Sequence, residues 1–185
     1  MFTLSTKHQW LVGSILLLVM LLTRSPMIDH LQDASWAVFF LLGFYVRPLW
    51  AMPLFWLAGF AVDAAVTSTG IVSSYCYTPA YGFTFPAYAA LWGAGRWFAQ
   101  HYRPDWQGLA TLALAVGVGT AACFAISNLG FYLFAGYFEQ MDAAAYSVSV
   151  LKYLPGYLQT TMLYVGIAAL IHIAVTQVTP AKTAH

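Results

Sequence analysis

Polar positions in this chain fall in clumps between long apolar runs, and the runs lack the one-sided periodicity of amphipathic elements. Judged against the roughly 20 residues that cross a bilayer core, they predict six membrane-spanning helices. The spans run from about His8 to Thr23, Leu31 to Val46, Pro48 to Val66, Gly82 to Phe98, Leu109 to Leu133 and Val150 to Val175. The second is short and meets the third at Arg47-Pro48. Proline suits the first turn of a helix and blocks continuation of the preceding one, so these two spans are expected to form a tight hairpin.

Composition turns this pattern into a class. With 61% hydrophobic and 7% charged residues the chain is far from a soluble domain, in which about a quarter of residues are charged. It is expected to be an all-α integral membrane protein forming a single six-helix domain over 1–185. A formal charge of +1 and the absence of a basic tract argue against nucleic-acid binding. Cys76 and Cys123 are too few for a disulfide framework and lack the paired spacing of a zinc or iron–sulfur site. Lys7 and the apolar run from Leu11 to Leu22 imitate a signal peptide, but "TRSPMIDH" supplies no small-x-small cleavage site, so the run reads as a retained first helix.

Lysine and arginine set orientation, because they accumulate in short loops on the cytoplasmic side. With six spans and the N-terminus inside, Lys7, Arg47, Arg96, Arg103 and Lys182 face inward while Arg24 and Lys152 face outward. Both termini are therefore expected in the cytoplasm. Asp29, Asp33, Glu139 and Asp142 fall in outer loops, and Asp105 in an inner one. The longer connections, around 24–33, 67–81 and 134–149, are all outer, and long loops carry function more often than short ones.

One of these loops contains "SSYCYTP", residues 73–79, the place where the chain becomes polar, aromatic and nucleophilic within seven positions. Cys76 is the candidate reactive group. As a small buried hydrophobe it would need no further explanation, yet its neighbours are Ser, Tyr, Tyr and Thr in an outward loop. A disulfide with Cys123 is a poor fit, since at 1.5 Å per residue that residue sits roughly 20 Å into the membrane along span five. Rings collect on both sides: Tyr75, Tyr77, Tyr81, Phe83 and Phe85, and Phe131, Tyr132, Phe134, Tyr137 and Phe138 at the end of span five. They read either as the aromatic belt of the interface or as the apolar wall of a ligand site. Asp63 is the one acid within a span, near its outer end, where it opposes the helix dipole. It is open to a ligand contact or to pairing with a neighbouring helix. Asn128, beside Ser127 and Gly130, is similarly a ligand contact or an interhelical hydrogen bond. His8, His101 and His172 lie at inner ends and His30 outside, which reads as interfacial anchoring and does not provide the facing pair that a haem needs.

Six short spans, inward termini and one cysteine in the outer loop between spans three and four together resemble the substrate-binding S-components of energy-coupling factor vitamin transporters. The chain is most similar to the solitary cobalamin-transporting BtuM family. The resemblance implies that Cys76 ligates the cobalt of cobalamin (vitamin B12) and that the protein resides in a bacterial inner membrane. It also implies decyanation of cyanocobalamin, which would give Cys76 a catalytic as well as a metal-ligating role. Tyr75, Tyr77, Tyr81, Phe85 and Tyr132 are the expected walls for a flat, mostly apolar corrin, and Asp63 and Asn128 the expected rim contacts. A soft thiolate is a competent ligand for a transition metal, and coordination drives off the thiol proton. One departure stands out. Helix 1, "HQWLVGSILLLVMLLT", offers only Gly13 and Ser14 where S-components that dock on a shared energising module usually carry a small-residue stripe. That agrees with a solitary transporter. The competing readings are an S-component for another vitamin and a membrane enzyme using the Cys76 thiol, the latter lacking any general base in its loop.

Overall fold

The computed structural model describes residues 3–24, 31–70, 75 and 78–178. Cys76 and Tyr77 lie outside the described residues, as do Asp29, His30 and Lys182. The described residues are all-helical: α1 (Thr6–Arg24), α2 (Ser35–Tyr45), α3 (Ala51–Ser68), a 3-10 turn (Pro79–Phe83), α4 (Thr84–Gln100), α5 (Trp106–Phe134), α6 (Ala143–Leu151) and α7 (Leu154–Val178). Local chemistry sets several of these bounds. Pro53, Pro86 and Pro155 each stand in the first turn of a helix, where a missing N–H costs nothing. Asp105 caps α5 by accepting the Gly108 N–H at 2.8 Å, and Asp142 caps α6 by accepting those of Ala144 and Ala145 at 2.8 and 2.9 Å. Gly136 follows α5 with φ +77°, a left-handed conformation that suits glycine.

Among the described residues four helices, α1, α3, α5 and α7, are long and apolar enough to cross a membrane. Their outward faces carry exposed Leu11, Leu18, Leu57, Leu114, Leu163 and Leu170, a surface suited to lipid and not to water. The 11 residues of α2 span only about 16 Å at 1.5 Å per residue. Nine of them are buried, from Ser35 to Phe44, so α2 is the apolar centre of the bundle and not a lipid-facing span. α4 packs against α2 on one side and α5 on the other.

Glycine governs the α2–α4 crossing. A Cβ on Gly43 would lie 2.0 Å from the Trp92 carbonyl oxygen, and one on Gly95 would lie 1.9 Å from that of Phe40. The two backbones therefore touch, as small residues permit between membrane helices. Phe39, Phe40, Leu42, Leu91 and Met20 fill the surrounding core.

Two expectations need correction. Pro48 does not open the third helix: its carbonyl accepts the Ala51 N–H at 3.2 Å in a turn, and α3 begins at Ala51. The segment expected as a loop over 134–149 followed by one span from Val150 contains α6, then a turn at Lys152-Tyr153, then α7. Only Lys152 interrupts the apolar run across that turn, and Pro155 and the Asp142 cap mark the division.

Contacts define two ends of the bundle. Arg24 of α1, Asp63 of α3 and Tyr88 of α4 meet at one end. At the other, the Gln9 side chain accepts the Arg47 N–H at 2.9 Å, and Tyr45 and Tyr102 meet His172 of α7. The start of α1 and the end of α7 thus share the His172 end, and the 3-10 turn Pro79–Phe83 belongs to the Arg24 end through Tyr81.

Candidate functional site

Arg24 is the last residue of α1, and its side chain is only 10% exposed. Sequence reasoning placed it on the outer side, at the start of the connection 24–33; in the structure it closes α1, and its side chain turns into the bundle against Asp63. Nε and Nη2 donate to the two carboxylate oxygens of Asp63, each at 2.6 Å, in the bidentate geometry that suits guanidinium and carboxylate. Nη1 donates to Ser35 Oγ at 2.8 Å and to the Tyr88 hydroxyl at 3.2 Å, and Nη2 reaches the Tyr81 hydroxyl at 3.5 Å. Every N–H of the guanidinium has an acceptor in reach. Gly59 of α3 faces it, and a Cβ there would sit in ordinary contact, 3.7 Å from Cζ.

The network extends outward from that pair. The Tyr81 hydroxyl donates to Asp63 Oδ2 at 2.8 Å, which ties the 3-10 turn to α3. Asp33 accepts the Ser35 N–H at 2.9 Å and its hydroxyl at 2.6 Å, and stands 3.5 Å from Arg24 Nη1. Burial pushes the Tyr81 phenol well above its ordinary range, so it remains a neutral donor to Asp63. Asp63 is thus held by Arg24 and Tyr81, and α1, α2, α3, α4 and the 3-10 turn share one hydrogen-bonded knot. The unfavourable position of Asp63 near the carboxyl end of α3 is resolved by a full positive charge.

The rings expected on either side of the loop come together. Tyr75 stacks on Tyr137, with centroids 4.4 Å apart and planes at 12°, and meets Phe131 edge-on at 5.6 Å. Phe83 stacks on Phe134 at 5.0 Å and lies over Gly130, where a Cβ would sit 2.2 Å from its ring. Tyr132 and Tyr146 pack at 4.9 Å with Phe138 beside them, and the Tyr132 hydroxyl donates to the Met141 carbonyl at 2.9 Å. Asn128 donates to the Phe124 carbonyl at 2.9 Å, and its Oδ1 accepts from the Tyr146 hydroxyl at 3.3 Å. It therefore serves as a link from α5 to α6. Phe85 belongs to a separate group with Trp56, at 5.4 Å, and Trp56 Nε1 donates to Thr84 Oγ1 at 2.8 Å.

The Arg24 end therefore offers a half-exposed aromatic platform, Tyr75 with Tyr137, and, at the same end of the bundle, the ionic knot. Such a surface can cover a flat apolar plate and present phenol hydroxyls at its rim. Cys123 is fully buried in the core, as expected of a residue with no part in the site. Two features escaped sequence reasoning. One is the Arg24–Asp63 pair, signalled only by opposite charges in adjacent spans near the same depth. The other is His172, read as an anchor, which lies half-buried between the hydroxyls of Tyr45 and Tyr102. No protein-family model matches the chain, and no curated protein matches it.

Proposed function

We propose that the chain is a cobalamin uptake protein of a bacterial inner membrane, similar to the BtuM family, that receives its cargo at the Arg24 end. One observation carries the reading: Tyr75, the immediate neighbour of Cys76, is stacked into an aromatic group contributed by the far end of α5. The two ring-bearing segments form one surface at the residue that precedes Cys76 in the chain. A corrin laid on it gains ring contacts from Tyr75 and Tyr137, while the Cys76 thiolate ligates cobalt and displaces an upper ligand such as cyanide. The Arg24–Asp63–Tyr81 knot fixes the 3-10 turn Pro79–Phe83. The alternation of α1 to α5 and α7 between the two ends supports six passages, with α2 as a short central one. The excess of cations at the His172 end supports a cytoplasmic location for that end. The protein would act without a shared energising module, consistent with the bulky face of α1.

A membrane-impermeant maleimide applied to spheroplasts tests placement and ligand together. Labelling of Cys76 from outside, sparing of Cys123 and protection by added cobalamin are expected. Labelling of Cys76 only in inside-out vesicles would overturn the orientation, and labelling unaffected by cobalamin would remove the cysteine from the binding site.

A further inference from the structure

The two halves of α7 are held differently. Toward the Arg24 end the helix is tied to α2 and the residues before it. Tyr157 stacks on Trp36 with centroids 4.4 Å apart, the Tyr164 hydroxyl donates to the Gln32 carbonyl at 2.8 Å, and the Thr160 hydroxyl donates to the Gln32 side chain. Thr161 and Val165 are buried in this half. From Gly166 to Thr176 no residue is buried. A segment with so few buried contacts opens at low cost.

A cavity of about 480 Å³ separates that second half from the rest of the bundle. Phe44, Phe98 and Leu112 form its far walls, on α2, α4 and α5, and Ala169 and Ile173 of α7 form the near one. His172 bridges the two sides: Nδ1 lies 3.2 Å from the hydroxyl of Tyr45, at the end of α2, and Nε2 3.1 Å from that of Tyr102, in the loop after α4. A neutral imidazole carries one N–H, so one tyrosine donates to the ring and the other accepts from it. On the opposite side of the helix Leu170, Ile171 and Val175 are exposed on a segment apolar enough to cross a membrane, so movement outward is into lipid. The division between the halves falls at Gly166, beside the last buried residue. A Cβ there would meet nothing within 4 Å, so packing does not call for glycine, whereas a small, permissive residue suits the point where a helix bends.

We infer that the second half of α7 is a hinged lid over this cavity, bending at Gly166 and latched shut by the hydrogen bonds of His172 to Tyr45 and Tyr102. Swung outward into the lipid, it opens the cavity at the His172 end of the bundle. An uptake protein needs an opening at that end as well as one at the Arg24 end, so the lid serves the proposed uptake. Only its purpose rests on that reading, and its motion is measured without cargo.

Double electron–electron resonance between spin labels tests the lid, on the full chain in lipid nanodiscs with Cys76 and Cys123 replaced by serine. Labels at exposed Leu114 of α5 and Val175 of α7 report the second half, and labels at Leu114 and exposed Leu163 report the first. His172→Phe should raise the long-distance population of the Val175 pair about fivefold for each neutral hydrogen bond removed, and leave the Leu163 pair unmoved. Gly166→Ala, whose Cβ has room, should fold and lower that population. A Val175 pair unmoved by His172→Phe overturns the latch. Equal shifts in both pairs, or a wild-type distribution in Gly166→Ala, overturn the hinge. Should His172→Phe fail to fold, Tyr102→Phe, which removes one bond, decides: a wild-type distribution in that variant refutes the inference. Because this background lacks the thiol assigned to cobalt, the outcome is independent of the cobalamin reading.

Discussion

Asp63→Asn removes one charge from the Arg24 knot and leaves its shape, so the cost can be worked from the geometry. Arg24 is 10% exposed and Asp63 25%, and both N···O contacts are 2.6 Å. Removing one partner of a fully buried ion pair costs about 3–5 kcal/mol, because the survivor stays buried and uncompensated. A quarter of the Asp63 side chain meets solvent, and Asp33 remains 3.5 Å from the guanidinium, so the figure falls to about 2–3 kcal/mol. For a chain of this size that corresponds to a drop of roughly 4–12 °C in melting temperature. Thermal unfolding in detergent, followed by tryptophan fluorescence, measures it. Arg24→Gln should cost a comparable amount. The double variant should cost clearly less than the sum, since neither charge is then left alone. Melting within about 1 °C of wild type for Asp63→Asn, or strict additivity in the cycle, would refute a stabilising pair. The knot ties the 3-10 turn to α3 through Tyr81, so any loss of ligand affinity in Asp63→Asn should be matched by Tyr81→Phe.

Gly95→Ala drives a Cβ to 1.9 Å from the Phe40 carbonyl oxygen and should cost at least the about 1–3 kcal/mol of an overpacked core, read as lost monodisperse protein in fluorescence-detected chromatography. Gly93→Ala, two residues away with nothing within 4 Å of its Cβ, should be neutral or stabilise by about 0.5–1 kcal/mol; equal damage from both would contradict the backbone contact. Asp142→Ala removes the two N–H acceptors that start α6 and should cost about 1 kcal/mol in thermal melting, with Asp142→Ser recovering most of it. The Gly108 N–H, with Arg103 beside it, holds the Asp105 carboxyl below its ordinary value, so its capping contribution is complete above the ordinary range and is lost only as pH falls through the lowered folded value. The melting difference between wild type and Asp105→Ala should therefore hold from neutral pH down to about 3.9 and shrink below it; a difference that widens on acidification would contradict the cap.

How much of this was legible in the sequence depends on the kind of information each feature needs. Membrane character, helical class and the approximate helix positions follow from hydropathy, which is local. The short α2 was visible as a short run, but its central position was not. That position depends on Gly43 meeting the backbone of Trp92 and Gly95 that of Phe40, far apart in the chain, and no local pattern encodes which backbones touch. Arg24 was counted as an outward charge because charge counting locates a residue relative to the membrane and says nothing of where its side chain turns. Its pairing with Asp63 resolves one of the two alternatives open for that acid, a neighbouring helix, and Asn128 likewise finds a neighbouring helix through Tyr146. The ring clusters were visible as composition, and their meeting through Tyr75–Tyr137 and Phe83–Phe134 is tertiary. The partners of His172 were not legible because a lone histidine near a helix end gives no sign of the tyrosines that flank it from α2 and the loop after α4.

The central claim, that Cys76 supplies a sulfur ligand to the cobalt of cobalamin at the Arg24 end, is tested most directly by the visible spectrum of cyanocobalamin titrated with purified protein. Cys76→Ser keeps the side-chain volume while replacing a soft thiolate with a hard, weakly acidic hydroxyl, and Cys123→Ser in the buried core serves as control. Wild type and Cys123→Ser are expected to shift the corrin bands and release cyanide, and Cys76→Ser to do neither. A Cys76→Ser protein that shifts the bands as wild type does, or a wild type that leaves them unmoved, would contradict cobalt ligation by this residue.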